Sequence, residues 1–396
     1  MKKTKEGSST KVLWVNPSFL DYRIPLYTEL YKQLGGEFYL IYSSERVPER
    51  CRIRIKEELG DHAIELLNEK RRRFLRDSSG FSNRGVTIPY PKGLTKLIKK
   101  VKPDILIAEG FFQFTPWCIK YATTNHIPLL VAYERTNHTE RNCPWYRMFY
   151  RRIARKFING YIANGQLTKE HLMGHGVKAE NIFTGGMCAD SAGLAKSVSL
   201  ITQEDLALYK SEILGERSNK DLTYLIVGRM IELKGVNYAL DAWREHVKKY
   251  PDDTLLIVGD GPKLDEYRRD FINVPSVLFT GAIDYSVIYK YYAVSDVFMI
   301  ATIEDNWSLV VPEAMACGLP IASSIYNGCH PELVHKDENG ITFNPLQHES
   351  VVKAFEYFHH VDLNAFGTAS IAIEKNFNPE HTANNIVKAV DYYINK

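Results

Sequence analysis

The sequence predicts an α/β protein with two Rossmann-like, doubly wound parallel-sheet domains that face a cleft. Three observations lead to this fold class. The chain has 396 residues, which is more than one hydrophobic core usually accommodates. Short apolar runs recur along it and end in glycine or a polar residue, as do strands that are buried on both faces of a parallel sheet. Amphipathic segments separate these runs, so each half of the chain has a βαβ order.

Predicted strands occur in both halves of the chain. In the first half they occupy residues 11–16, 37–43, 104–110, 128–134 and 160–165. In the second half they occupy residues 222–229, 254–261, 277–282, 296–302 and 320–324. A representative helix between them is residues 237–250, where apolar and charged side chains alternate at helical spacing. In sheets of this kind, ligands bind at the carboxyl ends of the strands.

The domain boundary is predicted within residues 187–202, which are small, polar and without a strong period. This gives an N-terminal domain of residues 1–190 and a C-terminal domain of residues 191–375. The last helical run, residues 379–395, fits either domain by its pattern alone. We expect the active site in the cleft between the domains.

Composition limits the class of protein. Apolar residues make up 45% of the chain and charged residues 24%, close to the averages for globular proteins. No apolar run reaches the length of a membrane span, and residues 1–10 lack the apolar core of a signal peptide, so we expect a cytoplasmic protein. The six cysteines are scattered along the chain, which is typical of reduced thiols.

Charge is distributed unevenly between the halves. Residues 1–190 carry 32 Lys and Arg against 19 Asp and Glu, whereas the rest of the chain carries 18 against 28. The basic half predicts an anionic partner such as a nucleotide, a phospholipid head group or a phosphate-bearing acceptor. Within it, residues 145–157 alternate aromatic or apolar side chains with arginine. This run is either a peripheral contact with an anionic membrane at its inner face or an ordinary amphipathic helix whose aromatic side chains enter the core.

Two strand ends in the second half carry candidate ligand-binding groups. Gly228 and Arg229 end one strand, and Lys234 follows five residues after Arg229, just before a helix. Two cations beside a helix N-terminus suit a diphosphate, although the same residues would fit a solvated loop. Gly259 and Gly261 end the next strand and either let the backbone approach a ligand or turn the chain. Because the spacing GxGxxG is absent here, an NAD-dependent dehydrogenase is not favoured.

A third strand end, in residues 301–323, combines carboxylates with a short helix. Glu304 and Asp305 precede the turn, and Glu313 lies within the helix that Gly318 closes. Backbone N–H groups of the turn should bind anionic oxygens, and the carboxylates should accept hydrogen bonds from sugar hydroxyls. A helix N-terminus beside two cations should keep these carboxylates ionised. The amides expected to form the cradle are those of Asn306, Trp307, Ser308 and Leu309.

The ordered series of motifs resembles a known family. In chain order it comprises "VGR…ELKG", "VGDGP", "VLFTGAI…IYKYYAVSDVFMIAT" and "EDNWSLVVPEAMACGLPIASS…NG…PELV". This series resembles the nucleotide-sugar-binding half of the retaining family 4 glycosyltransferases (glycosyl transferases group 1), which have the GT-B fold. The resemblance runs from about residue 222 to 345 and keeps the order of every motif.

The resemblance implies a donor site for a UDP- or GDP-sugar in the C-terminal domain. Arg229 and Lys234 would neutralise the diphosphate, and Glu313 would accept hydrogen bonds from the ribose. The family spacing of seven residues between two acids points to Asp305 as the acid that binds the transferred sugar, but a subset of the family also reads "EDN", so Glu304 stays a candidate. The other implied donor-binding residues are Gly228, Gly259, Gly261, Ile283, the four turn residues from Asn306 to Leu309, and Pro17 and Ser18 of the first loop.

The resemblance also implies the reaction. It is transfer to an acceptor hydroxyl with retention of configuration, without a metal or other cofactor, in surface polysaccharide or glycoconjugate synthesis. The final helix, residues 376–396, would pack back on the N-terminal domain. The sequence has no DxD triplet, and the pair His171 and His175 lacks the HExxH pattern, so no metal site is predicted.

The acceptor side is less defined, because many relatives carry a histidine where this chain has Glu134. Glu134 or His138 could polarise the acceptor hydroxyl, and Glu109, at the end of the preceding strand, is a third candidate. The acceptor could be a glycan, a lipid-linked sugar or a small molecule.

Three other functions fit the sequence less well. A nucleotide-sugar epimerase shares the fold but needs acid and base groups at C2 of the sugar. A phosphorylase needs a pyridoxal lysine and a longer chain. A non-enzymatic anion- or nucleic-acid-binding protein would fit the basic half, but no aromatic RNP-like strand or zinc spacing supports nucleic acid as a partner.

Overall fold

The computed structural model describes residues 10–75 and 86–396, which form two compact units. The first unit runs up to Cys188 and also includes Pro379–Lys396. The second unit is Ala189–Asn378. Each unit has a mainly parallel sheet with helices on it, so the predicted pair of parallel-sheet α/β domains is confirmed.

The first unit contains a parallel sheet in the order β3-β2-β1-β6-β7-β8-β9 and a two-stranded antiparallel sheet of β4 and β5. The strands are β1 (Val12–Val15), β2 (Phe38–Ser43), β3 (Ala63–Leu66), β4 (Lys70–Leu75), β5 (Val86–Tyr90), β6 (Ile105–Glu109), β7 (Leu129–Tyr133), β8 (Gly160–Ala163) and β9 (Ile182–Phe183). The helices are α1 (Ile24–Gln33), α2 (Glu49–Leu59), α3 (Leu94–Val101), α4 (Thr115–Asn125), α5 (Trp145–Ala154) and α6 (Gln166–Gly174).

The second unit contains a parallel sheet in the order β12-β11-β10-β13-β14-β15. Its strands are β10 (Thr223–Val227), β11 (Thr254–Val258), β12 (Val277–Gly281), β13 (Val297–Ile300), β14 (Ile321–Ser324) and β15 (Gly340–Phe343). Its helices are α7 (Ala192–Ser199), α8 (Gln203–Leu214), α9 (Val236–Lys249), α10 (Leu264–Asp270), α11 (Tyr289–Ala293), α12 (Val310–Ala316), α13 (His330–Leu333), α14 (His348–Tyr357) and α15 (Leu363–Glu374).

The central strands form because their side chains are apolar on both faces. All four side chains of β1 are fully buried, and so are those of β13 apart from a slight exposure of Ile300. Continuous burial of this kind is what separates a parallel-sheet strand from a half-exposed one. Every predicted strand run contains an observed strand. The strands that the sequence did not predict are short or lie at sheet edges, such as β9 and β15.

The strand order creates one switch point in each sheet. In the first unit, β2 pairs with one side of β1, and β6, which comes later in the chain, pairs with the other side. In the second unit β10 is followed by β11 on one side, and β13 lies on the other. Loops that leave such a pair of strands diverge, which opens a crevice at the carboxyl ends where ligands bind. The residues that follow β10 and β13 are the cation and carboxylate motifs of the sequence analysis.

The last helix, α16 (Pro379–Ile394), belongs to the first unit. It packs against α1, and its side chains Ala383, Ile386, Ala389 and Val390 are fully buried in the core of that unit. The hydroxyl of Tyr393 donates to the carbonyl of Asn159 at 2.7 Å. In the described part of the chain, none of the helices has the length and apolar character needed to cross a bilayer.

Candidate active site

The switch point of the second unit brings Lys234 and Asp305 together. Lys234 lies in the loop after β10, and Asp305 lies in the turn after β13. The Lys234 ammonium donates to Asp305 Oδ2 at 2.6 Å, and both side chains are partly exposed. The structure therefore joins two of the predicted site residues from segments 71 positions apart.

The carboxylate of Asp305 also holds its own turn together. Its Oδ1 accepts from the backbone N–H of Trp307 at 3.2 Å, and its Oδ2 accepts from the hydroxyl of Ser308. The backbone of Asp305 pairs with Asn327 as an isolated bridge. Glu304, its neighbour, is partly exposed, and its carbonyl accepts from the Thr302 hydroxyl at 3.3 Å.

The predicted amide cradle needs a correction. The N–H of Trp307 donates to Asp305 Oδ1 at 3.2 Å, and the N–H of Ser308 donates to Asn327 Oδ1 at 3.3 Å, so both amides already have acceptors within the chain. The amides of Leu309 and Val310 have no acceptor in the described part of the chain. The donors at this turn are therefore displaced toward the start of α12, because side-chain oxygens already satisfy the amides before it.

The remaining turn side chains differ in exposure. Asn306 is partly exposed, whereas the indole of Trp307 is buried, with its ring centroid 6.1 Å from that of Phe377. Ile283, which follows β12, is also partly exposed. The Trp307 side chain thus belongs to the core of the unit.

At the carboxyl end of β10, Gly228 leaves open space beside the backbone and Arg229 supplies a positive charge. Arg229 is exposed and makes no salt bridge within residues 10–75 and 86–396. A Cβ added at Gly228 would find no atom within 4 Å. An anionic ligand could therefore approach the backbone of Gly228 beside two cations.

Gly259 and Gly261 have a packing role that the sequence did not separate from ligand approach. A Cβ at Gly259, where φ is +137°, would lie 1.8 Å from the carbonyl oxygen of Gly228. At Gly261, where φ is +156°, it would lie 2.6 Å from the carbonyl oxygen of Met230. Hydrogen bonds tie the same loops together, with Gly228 N donating to Val258 O at 3.0 Å. Both glycines let two loops pack backbone to backbone.

Glu313 lies on α12 and is held by two tyrosines. The hydroxyl of Tyr292 donates to Glu313 Oε2 at 3.0 Å, and that of Tyr285 donates to Oε1 at 3.3 Å. Burial raises the pKa of Glu313 to about 7; the tyrosine hydrogen bonds oppose this rise and Asp190 adds to it. Burial of Glu313 therefore opposes the full ionisation that the sequence led us to expect. Sequence reasoning missed both tyrosines, although Tyr292 lies within the quoted motifs.

Glu313 should make the stability of the second unit depend on pH. Because its pKa is raised from 4.5 to about 7 in the folded state, the proton it binds stabilises the fold fully below about pH 4.5. This contribution, no more than about 3 kcal/mol, is lost as the pH rises through 7. Between pH 5 and 8, the free energy of unfolding of Glu313→Gln, measured with urea, should fall less than that of the wild type. Parallel pH profiles for the two proteins would contradict this assignment.

In the first unit, Glu109 and Glu134 line one cavity of about 620 Å³ at the ends of β6 and β7. Glu109 accepts from the Trp14 indole at 3.1 Å and lies 3.6 Å from Arg23. Burial raises the pKa of Glu109, and the Arg23 guanidinium opposes that rise. His138 is partly exposed and is not among the residues that line this cavity.

The loop after β1 lies at the switch point of the first unit. Pro17 is buried, and its carbonyl accepts from the amide of Ser43 at 3.3 Å. Ser18 is exposed, and its amide donates to Asn16 Oδ1 at 3.1 Å. The side chain of Ser18 is therefore available at the edge where ligands are expected.

Two further groups of histidines remain, one beside the start of β11 and one on α6, where His171 Nδ1 lies 2.9 Å from Asn137 Oδ1 in the loop after β7. His246 and His359 each bring Nε2 within 2.8 Å of the same oxygen of Asp253, which precedes β11 at the opposite edge of the sheet. The three side chains could together hold a metal ion, but the shared hydrogen bonds already account for their arrangement. His171 and His175 have ring centroids 4.5 Å apart on α6, and burial lowers the pKa of His171 to about 4.

Comparison with known proteins identifies the second unit. Residues 221–359 match the family model for glycosyl transferases group 1. The sulfoquinovosyl transferase SQD2 of Arabidopsis thaliana is 31% identical over 137 residues, which cover 34% of this chain and 26% of that protein. The alpha-monoglucosyldiacylglycerol synthase of Acholeplasma laidlawii is 30% identical over 163 residues, or 39% of this chain and 38% of that one. The matched part thus spans about a quarter to two-fifths of these relatives.

Solved structures extend the likeness to the whole chain. The crystal structure of Anabaena Alr3699/HepE in complex with UDP has a TM-score of 0.72 and 16% identity, and the match covers 97% of this chain and 100% of that one. At this identity the likeness concerns the fold, and the family assignment comes from residues 221–359. The resemblance found in the motifs is confirmed: residues 221–359 belong to the family of glycosyl transferases group 1, and the two parallel-sheet units have the GT-B fold.

Proposed function

We propose that the protein transfers a sugar from a nucleoside-diphosphate sugar to an acceptor hydroxyl with retention of configuration. The observation that carries this proposal is the Lys234–Asp305 pair at the switch point of β10 and β13. Arg229 and the open backbone at Gly228 lie at the same strand end. Together they provide cations for a diphosphate and a carboxylate for sugar hydroxyls at one strand edge.

The donor site would work mainly by stabilising the leaving group. Negative charge develops on the nucleoside diphosphate as its bond to the sugar breaks, and Lys234 and Arg229 would meet that charge. The amides of Leu309 and Val310 would add two neutral donors. Since these groups supply the positive charge that a metal ion supplies in other sites, we propose that activity persists in EDTA.

Asp305 is a better candidate than Glu304 for the acid that binds the transferred sugar. It contacts Lys234, and a sugar attached to a phosphate bound by Lys234 would lie next to the same carboxylate. Glu313, with Tyr285 and Tyr292, would accept hydrogen bonds from the ribose hydroxyls. Comparing Asp305→Asn with Glu304→Gln separates the two acids, and a larger loss of sugar discrimination in Glu304→Gln would overturn the choice of Asp305.

The acceptor would bind the first unit. Glu109 and Glu134 line its cavity, and either carboxylate could accept a hydrogen bond from the acceptor hydroxyl. His138 lies in the loop after Glu134 and remains a candidate for the same role. A place in polysaccharide or glycoconjugate synthesis agrees with the alpha-monoglucosyldiacylglycerol synthase of Acholeplasma laidlawii, whose name denotes glycolipid synthesis.

We also propose that α5 rests on an anionic membrane surface. Trp145, Met148, Phe149 and Ile153 are each at least 44% exposed, and Arg152 is exposed among them. In the alternative, the aromatic side chains of α5 would enter the core. Among them only Tyr150 is partly buried, so the alternative applies to Tyr150 alone and only in part. Exposed aromatic and basic side chains on one helix are typical of peripheral membrane contact.

Replacing Trp145 with serine should weaken membrane binding about tenfold, because an interfacial tryptophan buries a large apolar area. The measurement is sedimentation with vesicles of phosphatidylglycerol and phosphatidylcholine. Ile272→Ser is the matched control, since Ile272 is 78% exposed and Trp145 77%, but Ile272 lies in the second unit. Equal losses in both variants, or a wild type that does not bind these vesicles, would exclude α5 as the membrane contact.

A donor screen tests the proposed reaction. Purified protein is mixed with UDP- and GDP-sugars and a panel of acceptors, and released nucleotide is measured. We expect release with one donor class. An epimerase would change the sugar without releasing nucleotide, and a non-enzymatic binding protein would do neither.

A further inference from the structure

Arg23 places a positive charge in the core of the first unit. It directly precedes α1, its side chain is 6% exposed, and its guanidinium lies 6.0 Å from the ring of Trp14. Its Nη1 donates to the carbonyl of Gly186 at 3.5 Å. Within residues 10–75 and 86–396 its salt-bridge partner is Glu109, with Nη2 3.6 Å from Oε1. A buried guanidinium is costly unless it is paired, so Glu109 explains why the charge is tolerated here.

Glu109 is held from two sides at the end of β6. The fully buried indole of Trp14, on β1, donates to Oε2 at 3.1 Å, and the Arg23 guanidinium faces Oε1. The Glu109 side chain is nevertheless 25% exposed and lines the cavity of the first unit. A carboxylate has about four lone-pair sites, so each oxygen can accept a further hydrogen bond from a ligand in that cavity.

Glu109 differs from Glu134 and His138 in position and in rigidity. Glu109 is the last residue of β6, which pairs with β1 at the switch point of the sheet, whereas Glu134 follows β7, one strand further away. The side chain of Glu134 is 45% exposed and lies 3.9 Å from Arg135. His138 lies further along that loop and is not among the residues that line the cavity. Groups fixed on strands hold a site geometry better than groups on loops.

We propose that Glu109 is the carboxylate that accepts the hydrogen bond from the acceptor hydroxyl, and that Arg23 and Trp14 are its positioning residues. This inference rests on the proposed function, because it assigns the acceptor side of that reaction. The indole and the guanidinium fix the two oxygens at the edge of the cavity. The buried positive charge also favours the ionised carboxylate, which is the form that accepts a hydrogen bond.

The charges around Glu109 predict how its titration responds to substitution. Burial raises the pKa of Glu109, Arg23 opposes that rise, Glu134 adds to it, and the hydrogen bond from Trp14 opposes it. Tyr27 of α1 also interacts with Glu109, and burial raises the pKa of Tyr27. Arg23→Met and Trp14→Phe should therefore raise the Glu109 pKa, and Glu134→Gln should lower it. Because transfer needs the ionised carboxylate, it is lost as the pH falls through this pKa, and the acid limb of its pH profile should move in the same directions.

Carboxyl NMR measures this pKa in the full-length protein without any ligand. Glutamate is labelled at its carboxyl carbon, and the Glu109 signal is identified by its absence in Glu109→Gln. We expect the pKa of this signal to rise in Arg23→Met and in Trp14→Phe, which keeps a buried ring. Lys32→Met, which removes a lysine of α1 that is 76% exposed, is the matched control and should leave the pKa unchanged. The same pKa in wild type, Arg23→Met and Trp14→Phe would overturn the positioning roles.

Transfer assays of the same variants test the role of Glu109, with the donor and acceptor that the donor screen selects. Glu109→Gln should lower transfer at least about 100-fold, and Trp14→Phe about tenfold, because it removes one hydrogen bond to the carboxylate. The acid limb should move to higher pH in Trp14→Phe and to lower pH in Glu134→Gln. A merely structural role of Trp14 would leave the acid limb in place. Loss of transfer in Glu134→Gln but not in Glu109→Gln would overturn the assignment.

Controls separate a failure of this assignment from a failure of the proposed function. Glu109→Gln leaves Arg23 unpaired in the core, so the double variant with Arg23→Met removes both charges and shows whether a folding defect causes the loss. Binding of UDP or GDP should stay normal in both variants. Full transfer in Glu109→Gln with normal nucleotide binding would overturn the assignment alone. A wild type that binds no nucleoside diphosphate would overturn the proposed function, and the assignment with it.

Discussion

Sugar transfer should fall about 10³-fold when Lys234 is replaced by alanine, while the fold stays intact. The ammonium of Lys234 lies at the end of β10 and donates to Asp305 at 2.6 Å. Its removal takes away a charge that stabilises the departing nucleoside diphosphate more strongly in the transition state than in the bound substrate. The turn after β13 should survive, because Asp305 still accepts from Trp307 N and the Ser308 hydroxyl. The measurement is single-turnover nucleotide release with saturating donor.

Two variants serve as controls for this substitution. Lys263→Ala removes another lysine of the second unit, which is paired with Glu266 and partly exposed, and should leave transfer unchanged. Lys234→Ala combined with Asp305→Asn removes the carboxylate that the single variant leaves without its cation, so it tests whether an unpaired charge causes the loss. Near-normal turnover of Lys234→Ala would show that the donor site is elsewhere.

The largest effect on stability is expected from Gly259→Ala, which should destabilise the second unit by about 4 kcal/mol or more. The new Cβ would lie 1.8 Å from the carbonyl oxygen of Gly228, and the backbone at Gly259 has a φ of +137°. The obstructing atom is backbone, so no side chain can rotate away. Urea unfolding followed by tryptophan fluorescence should show an earlier transition than in the wild type.

Gly228→Ala is the matched comparison. Its Cβ would meet no atom within 4 Å, so the fold should keep its stability. The methyl group would instead occupy the open space where we place the diphosphate, and nucleotide binding should weaken. A Gly259→Ala variant that unfolds at the urea concentration of the wild type would refute the packing role of that glycine.

The sequence was sufficient for the strands and for the order of motifs, because both depend on local patterns. Continuous apolar runs reveal β1, β10 and β13, since strands buried on both faces need no information from distant residues. Lys234 and Asp305 could be assigned to one strand edge because the carboxyl ends of neighbouring parallel strands meet there.

Other features depend on contacts between distant segments, which a single sequence does not reveal. The bonds from Tyr285 and Tyr292 to Glu313 cross 28 and 21 residues, and the burial that raises the Glu313 pKa is a property of the folded unit. The acceptors of the Trp307 and Ser308 amides cannot be read from the sequence for the same reason. Their acceptors are side chains of the turn and of Asn327.

The most direct test of the donor site is thermal unfolding in the presence of UDP and of GDP. At a ligand concentration about 100 times the Kd, binding stabilises the folded state by about 2.7 kcal/mol. For a unit of this size we expect a rise in melting temperature of roughly 5–10 °C with one of the two nucleotides. The rise should be much smaller in Lys234→Ala. If no nucleoside diphosphate raises the melting temperature of the wild type, the chain has no donor site at Lys234 and Asp305.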